Sequence, residues 1–117
     1  MSAPNIVNVT TIIGKTAVQA VGTSATVIVE NSAASNKVFK VNALYVSNVD
    51  GANDADVTLD LFRSSTAYHI AKTVVVPADS TLDVVTKAIY LEEGDSLRLT
   101  ASSASDLEAV CSYEEIS

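Results

Sequence analysis

Apolar and polar side chains alternate with a period of two through most of this 117-residue chain. Successive side chains of a β-strand point to opposite faces, so alternation of this kind describes strands covered on one face. The alternating runs are short and are separated by clusters of Gly, Pro, Asn, Asp and Ser, the residues that turns demand. No stretch keeps a helical period for three turns. Thr16 to Ala20 is too short for a helix and is rich in β-branched residues. The chain is therefore expected to be all-β: an antiparallel β-sandwich, jelly-roll or Ig-like, of about nine or ten strands. Short connections favour antiparallel neighbours and two packed sheets.

The runs can be placed individually. The first covers Ile6 to Ile13 and is expected to end at Gly14; a second covers Thr16 to Val21, and a third Ala25 to Glu30. Asn31 to Asn36 is small and polar and reads as a loop. From Lys37 to Ser47, Phe39, Val41, Ala43 and Tyr45 are expected on one face and Lys40 and Asn42 on the other, before Leu44 and Val46 make both faces apolar. Asn48 to Asp54 is a long turn. Val57, Leu59 and Leu61 are expected inward, with Thr58, Asp60 and Phe62 outward. Arg63 to Thr66 is a tight turn, making a hairpin with Tyr68 to Val76. Pro77 cannot donate to a ladder and stops that strand. Short strands follow at Thr81 to Val85 and Lys87 to Leu91. Gly94 is expected at positive φ in the turn after them. Leu97, Leu99 and Ala101 alternate inward, and Leu107, Ala109, Cys111 and Tyr113 line one face of the last strand. Residues 1–117 read as one domain, in which residues 1–13 form either a first strand or an extended arm used in assembly.

Composition excludes most chemistry. The chain has one cysteine and one histidine, so neither an internal disulfide nor a cysteine or histidine metal cluster can be built. Fourteen acidic residues against seven basic ones give a net charge of −7, and the basic residues are scattered singly. Affinity for nucleic acid comes largely from Lys and Arg at phosphates, so no direct nucleic-acid partner is expected. No apolar run approaches a membrane span, and no signal sequence is recognised, so no membrane partner is expected and synthesis in a cytoplasm is the simple reading. Valine occurs 17 times and Ser plus Thr 25 times, while tryptophan is absent. That scarcity of aromatics argues against a glycan-binding sandwich, because sugars stack on exposed rings.

The remaining candidates for chemistry each have a plainer reading. Asp50, Asp54, Asp56 and Asp60 suggest calcium, but the glycine of the Asp50-Gly51 turn comes too early for an EF-hand loop, and a solvated turn is the expectation. Glu92, Glu93 and Asp95 are consecutive in a glycine turn and are expected to point into water rather than at each other. Ser64, His69 and Asp60 have the residue types of a hydrolase triad but lack a Gly-x-Ser-x-Gly elbow. Cys111 lies among apolar neighbours and reads as a small buried hydrophobe. No catalytic residue, cofactor or metal is expected. Phe62, large, apolar and on the face opposite Leu61, is explained equally by a covering layer or by contact with another subunit.

The segments Pro4-Asn-Ile-Val-Asn-Val-Thr10, Gly14-Lys-Thr-Ala17, Asp60-Leu-Phe-Arg-Ser-Ser-Thr-Ala-Tyr-His69, Val76-Pro-Ala-Asp-Ser80, Tyr90-Leu-Glu-Glu-Gly-Asp-Ser-Leu97 and Ser112-Tyr-Glu-Glu-Ile116 carry a resemblance that runs nearly end to end. The chain resembles small virion structural proteins of tailed bacteriophages, nearest to those of contractile-tailed phages of cyanobacteria. The motifs are turn and strand signals and carry no chemistry. The resemblance implies a virion component that acts by protein–protein contact: an oligomeric capsid decoration (cement) protein, or alternatively a neck, tail or fibre-attachment protein. Its partners would be other virion proteins, major capsid or neck and tail proteins, and further copies of itself. Ile6, Val7, Phe62, Tyr68 and His69 are the expected contact residues.

Overall fold

A computed structural model of the chain describes residues 4–117. It is all-β, with nine strands: β1 (Ile12–Ala20), β2 (Thr26–Glu30), β3 (Val38–Asn48), β4 (Ala55–Arg63), β5 (Thr66–Val76), β6 (Thr81–Asp83), β7 (Ile89–Leu91), β8 (Ser96–Ala101) and β9 (Leu107–Ile116). All pairings are antiparallel. One sheet runs β1-β9-β3, with the short strands β6 and β7 both pairing the outer side of β3. The other sheet runs β2-β8-β4-β5. If β6 and β7 are taken as one interrupted strand, this is the strand order of a jelly roll, which decides between the two sandwich types the sequence left open.

Strand register explains the core. Val41, Leu44 and Val46 of β3, Val57 and Leu59 of β4, Leu97 and Leu99 of β8 and Cys111 of β9 are fully buried between the sheets. Alternation alone predicts Phe39, Val41, Ala43 and Tyr45 on one face of β3. The structure corrects this: Phe39 and Val41 are buried, but Ala43 is only partly buried and Tyr45 is exposed. The cause is a register shift between Val41 and Ala43, where Asn42 is inserted opposite β9. A β-bulge inserts one unpaired residue and so reverses the phase of everything after it. Leu44 and Val46 therefore take up the core face that Phe39 and Val41 begin.

Two further sequence expectations are corrected. The predicted strand over Ile6 to Ile13, ending at Gly14, is displaced: residues 4–11 form turns and bends, and one strand runs from Ile12 through Gly14 to Ala20. The pairing of β1 with β9 runs from Ala20 opposite Glu108 to Ile12 opposite Ile116, and just before it Thr10 and Thr11 bond the Ser117 backbone. Gly14 sits in the middle of the strand without positive φ. The predicted strands at Thr81–Val85 and Lys87–Leu91 are shorter, three residues each, and end to end on β3.

Two buried asparagines fix the loops. Asn31 donates through Nδ2 to the carbonyls of Lys37 and Leu91. Asn48 donates to those of Asn53 and Val76 and accepts from the Asp50 N–H through Oδ1. A buried polar group is tolerated when its partners are all supplied, and each side chain is then a latch between chain segments distant in sequence.

Candidate functional site: ion pairs, exposed apolar rows and sheet edges

The charged groups that sequence reading singled out are absorbed by structure. Asp60, expected to face solvent, is 3% exposed. It stands opposite Arg98 in the β4–β8 register, and Arg98 donates to it through Nε at 2.9 Å and Nη2 at 3.2 Å. The same guanidinium lies 4.0 Å from the centroid of Phe62. Cation–π contact of this kind covers one face of the ring from within the chain. Phe62 is only partly exposed. His69 stands opposite Asp60 on β5 and is exposed, but both Asp60 oxygens are engaged by Arg98, and Ser64 lies in the hairpin turn.

Asp95, expected to point into water, is also buried, at 1% exposure. Arg63 Nε donates to its Oδ1 at 2.7 Å, and the Glu92 N–H donates to its Oδ2 at 2.8 Å. Desolvation pushes the Asp95 carboxyl up, but Arg63 and the Glu92 N–H outweigh it and hold it below the usual carboxylate range. Gly94, at φ +91°, makes the turn that brings Asp95 back under Arg63. Glu115 is held between Lys15 at 2.8 Å and Lys37 at 3.1 Å. The hydrogen bond from Lys15 is the main reason its carboxyl is lowered, against desolvation, with Lys37 assisting. Asp50 accepts from the N–H groups of Ala52 and Asn53, and Asp54 from that of Ala78. Among the described residues, no three His, Cys, Asp or Glu side chains converge as a metal site. Among them also, no helix is long and apolar enough to cross a membrane. The Cys111 thiol is buried, and desolvation raises it to about 11.

What remains exposed is apolar and lies on strand rows and edges. On the outer face of the larger sheet, Val18, Val110 and Tyr45 stand in one cross-strand row, each at least 41% exposed. A shallow groove along β1 and β9 begins at this row and ends at Ala20 and Glu108. On β5, at the edge of the smaller sheet, Tyr68, Ile70 and Val75 are exposed. Ile6 and Val7 are exposed in a turn where the Val7 N–H donates to Asn5 Oδ1, and the segment is tied to the body where the N–H groups of Thr10 and Thr11 donate to the Ser117 carbonyl. The five predicted contact residues are thus not one site. Ile6 and Val7 precede β1, whereas Tyr68 and His69 are on β5, at an edge of the other sheet. The Val18–Val110–Tyr45 row escaped sequence reading, because adjacency across strands needs the register.

No protein-family model matches the chain, and no curated protein matches it. Solved structures do. A subunit from the work described as "Bacillus endospore appendages form a novel family of disulfide-linked pili" matches with a TM-score of 0.54 and 16% identity, over 92% of this chain and 88% of that one. The likeness is of fold. A pentameric capsid protein from metagenomic phage sequences matches with a TM-score of 0.41 and 18% identity, over 98% of this chain and 66% of that one. The nucleoplasmin-like N-terminal domain of Drosophila FKBP39 matches with a TM-score of 0.43 and 14% identity, over 87% and 85%. At TM-scores below 0.5 these two establish no shared topology.

Proposed function

We propose that this protein is a structural component of a tailed-phage particle, a decoration protein that binds the capsid as a homo-oligomer through protein–protein contacts. The observation that carries the reading is where the exposed apolar side chains stand. They fall in a cross-strand row (Val18, Val110, Tyr45), along an edge strand (Tyr68, Ile70, Val75) and in the turn of Ile6 and Val7. Grouped apolar exposure marks contact surfaces, whereas the same residues scattered singly need no explanation. The resemblance of the sequence to small phage virion proteins points the same way, and the jelly roll is a fold that viral shells use, by analogy of architecture alone. Such a contact is worth roughly 25 cal/mol per Å² of apolar surface before the costs of association, and repetition over a shell multiplies it. The disulfide linkage in the description of the Bacillus pili has no counterpart here, because the one cysteine, Cys111, is buried in the core.

Quantitative densitometry of purified particles tests the proposal. Hundreds of copies per particle support a decoration protein. A copy number of about six to twelve indicates a ring at the neck or tail, since closed rings carry the copy number of their symmetry. Absence from the particle overturns the reading.

A further inference from the structure

The four lateral edges of the two sheets are not alike. β5 is interrupted by two register shifts against β4, and Thr73 at its second irregularity adopts φ +50°. β2 has five residues and a register shift, and the Gln19 side chain donates to its Val27 carbonyl. β6 and β7 have three residues each. Bulges, shortness, side-chain cover and edge charges are devices that keep a sheet edge from pairing with another chain. β1 lacks the first three, with nine residues in unbroken register with β9 and neither proline nor bulge, and its one charged side chain, Lys15, is drawn to Glu115.

The hydrogen-bond phase of β1 shows which groups are free. Thr11 and Ser117 exchange two backbone bonds, of 2.8 and 2.9 Å, and ten residues on the Val21 N–H donates to the Leu107 carbonyl. In an antiparallel ladder, bonded and outward-facing residues alternate. Ile12, Gly14, Thr16, Val18 and Ala20 therefore direct their N–H and C=O groups away from β9, to the free edge.

Two observations select the occupant. First, all fourteen acidic residues lie from Glu30 onward, so in a chain of net charge −7 the only charged side chain before Glu30 is Lys15. Its ammonium is already engaged by Glu115. β1 thus sets no acidic side chain of its own against a second copy of this acidic protein, and its one cation is neutralised within the chain. Second, Gly14 weakens a strand interior, has no positive φ and would meet nothing within 4 Å if it bore a Cβ. Nothing inside the chain requires glycine there, and an interior strand glycine often marks a place where another backbone approaches closely.

We propose that β1 pairs with β1 of a second copy, antiparallel about a two-fold axis at Thr16, joining the two larger sheets into one. With this register Thr16 faces Thr16, Val18 of each copy lies over Gly14 of the other, and Ile12 faces Ala20. The outward-facing groups of both strands then satisfy one another in about ten ladder bonds. The inference rests on the proposed oligomeric role and names its contact.

The test uses the full-length chain and light scattering after size exclusion. The wild type has the mass of a dimer or an even multiple. Thr16→Pro removes only an outward N–H, a position where an edge strand tolerates proline; it keeps the wild-type circular dichroism spectrum and halves the mass. Val18→Lys, at a side chain 74% exposed, does the same by introducing charge. Thr16→Cys forms a reducible dimer under mild oxidation, because bonded antiparallel pairs lie ~5.5 Å apart, within disulfide reach, and Cys111 is buried. Ile12→Cys, which faces Ala20, cross-links far more slowly. A wild-type oligomer unchanged by both edge variants overturns the β1 pairing while leaving the structural role standing, as does one lost only on deletion of residues 4–10. A monomeric wild type absent from particles overturns both.

Discussion

The guanidinium of Arg98 lies 4.0 Å from the centre of the Phe62 ring while it grips both carboxylate oxygens of Asp60. Side chains from two neighbouring strands are thereby closed over a carboxylate that is almost fully buried. Removing one member of such a pair strands the other without water or partner. Arg98→Ala is expected to cost about 3 kcal/mol in urea unfolding. Arg98→Lys keeps the charge but loses the planar fork and the stacking, and should cost about 1–2 kcal/mol. Asp60→Leu combined with Arg98→Met should recover most of the loss, which a double-mutant cycle measures directly.

The acid limb of stability follows from Asp95 and Glu115. Both carboxyls lie below their ordinary values in the fold, Asp95 despite desolvation and through Arg63 and the Glu92 N–H, Glu115 chiefly through Lys15. A carboxyl depressed on folding contributes stability that is complete above its unfolded value and vanishes as pH falls through its folded one. Unfolding free energy is therefore expected to be flat from about pH 7 to 5 and to fall progressively below about pH 4.5. Asp95→Asn should cost about 1–3 kcal/mol at pH 7 and flatten the acid slope. An acid limb of unchanged steepness in that variant would remove Asp95 from this account.

Much of the fold was legible because strand alternation and turn residues are local signals. The hairpin at Arg63–Thr66, the turn at Gly94 and the inward faces of β8 and β9 all follow from them. What was not legible depends on partners across strands. The Asn42 bulge reverses the face of β3 with no marker residue. Asp60 and Asp95 look like solvated charges until register sets an arginine beside each. The Ile6–Ile13 alternation promises a strand, but residues 4–11 form turns and bends, and the ladder with β9 takes in only Ile12 and Ile13 of that run. Of the residues expected at contacts, Tyr68 and Val7 are open to solvent, while the exposed row of Val18, Val110 and Tyr45 exists only once three strands are aligned.

Asn48 exemplifies the hidden latches. Its side chain makes three hydrogen bonds at 3% exposure, joining the end of β3 to the Asp50 turn and to the end of β5. Asn48→Leu fills a similar space but leaves two carbonyls and one N–H without their partner. A loss of about 3 kcal/mol is expected, with faster amide exchange in residues 49–54 than elsewhere. Uniform loss of protection across the chain would show that the side chain is merely core filling.

The hairpin turn is strained by its own residues. Ser64 and Ser65 both have positive φ, at 52° and 61°, as a two-residue turn of type I′ requires. Asparagine at the first position and glycine at the second adopt this region more readily than serine does. The double substitution Ser64→Asn with Ser65→Gly should raise stability by about 1 kcal/mol, or roughly 4 °C in Tm for a domain of this size. The gain should appear without change in oligomeric mass, since the turn lies off β1.

Cys111 gives a probe of opening. The thiol is buried in the core and desolvation raises it to about 11. The thiolate is the reactive form, so the native protein at pH 8 should react with an aromatic disulfide reagent far more slowly than a model thiol. Reaction must wait for the sandwich to open around β9, and its rate should rise with urea in parallel with unfolding. The sign of the alkaline effect follows from the same burial. An unfolded thiol ionises near pH 8.5 while the folded one stays neutral, so stability should decline as pH rises above about 8.5. Cys111→Ala abolishes labelling and this decline together, at a cost in packing. A native thiol that labels as fast as the unfolded chain would place the sulfur outside the core.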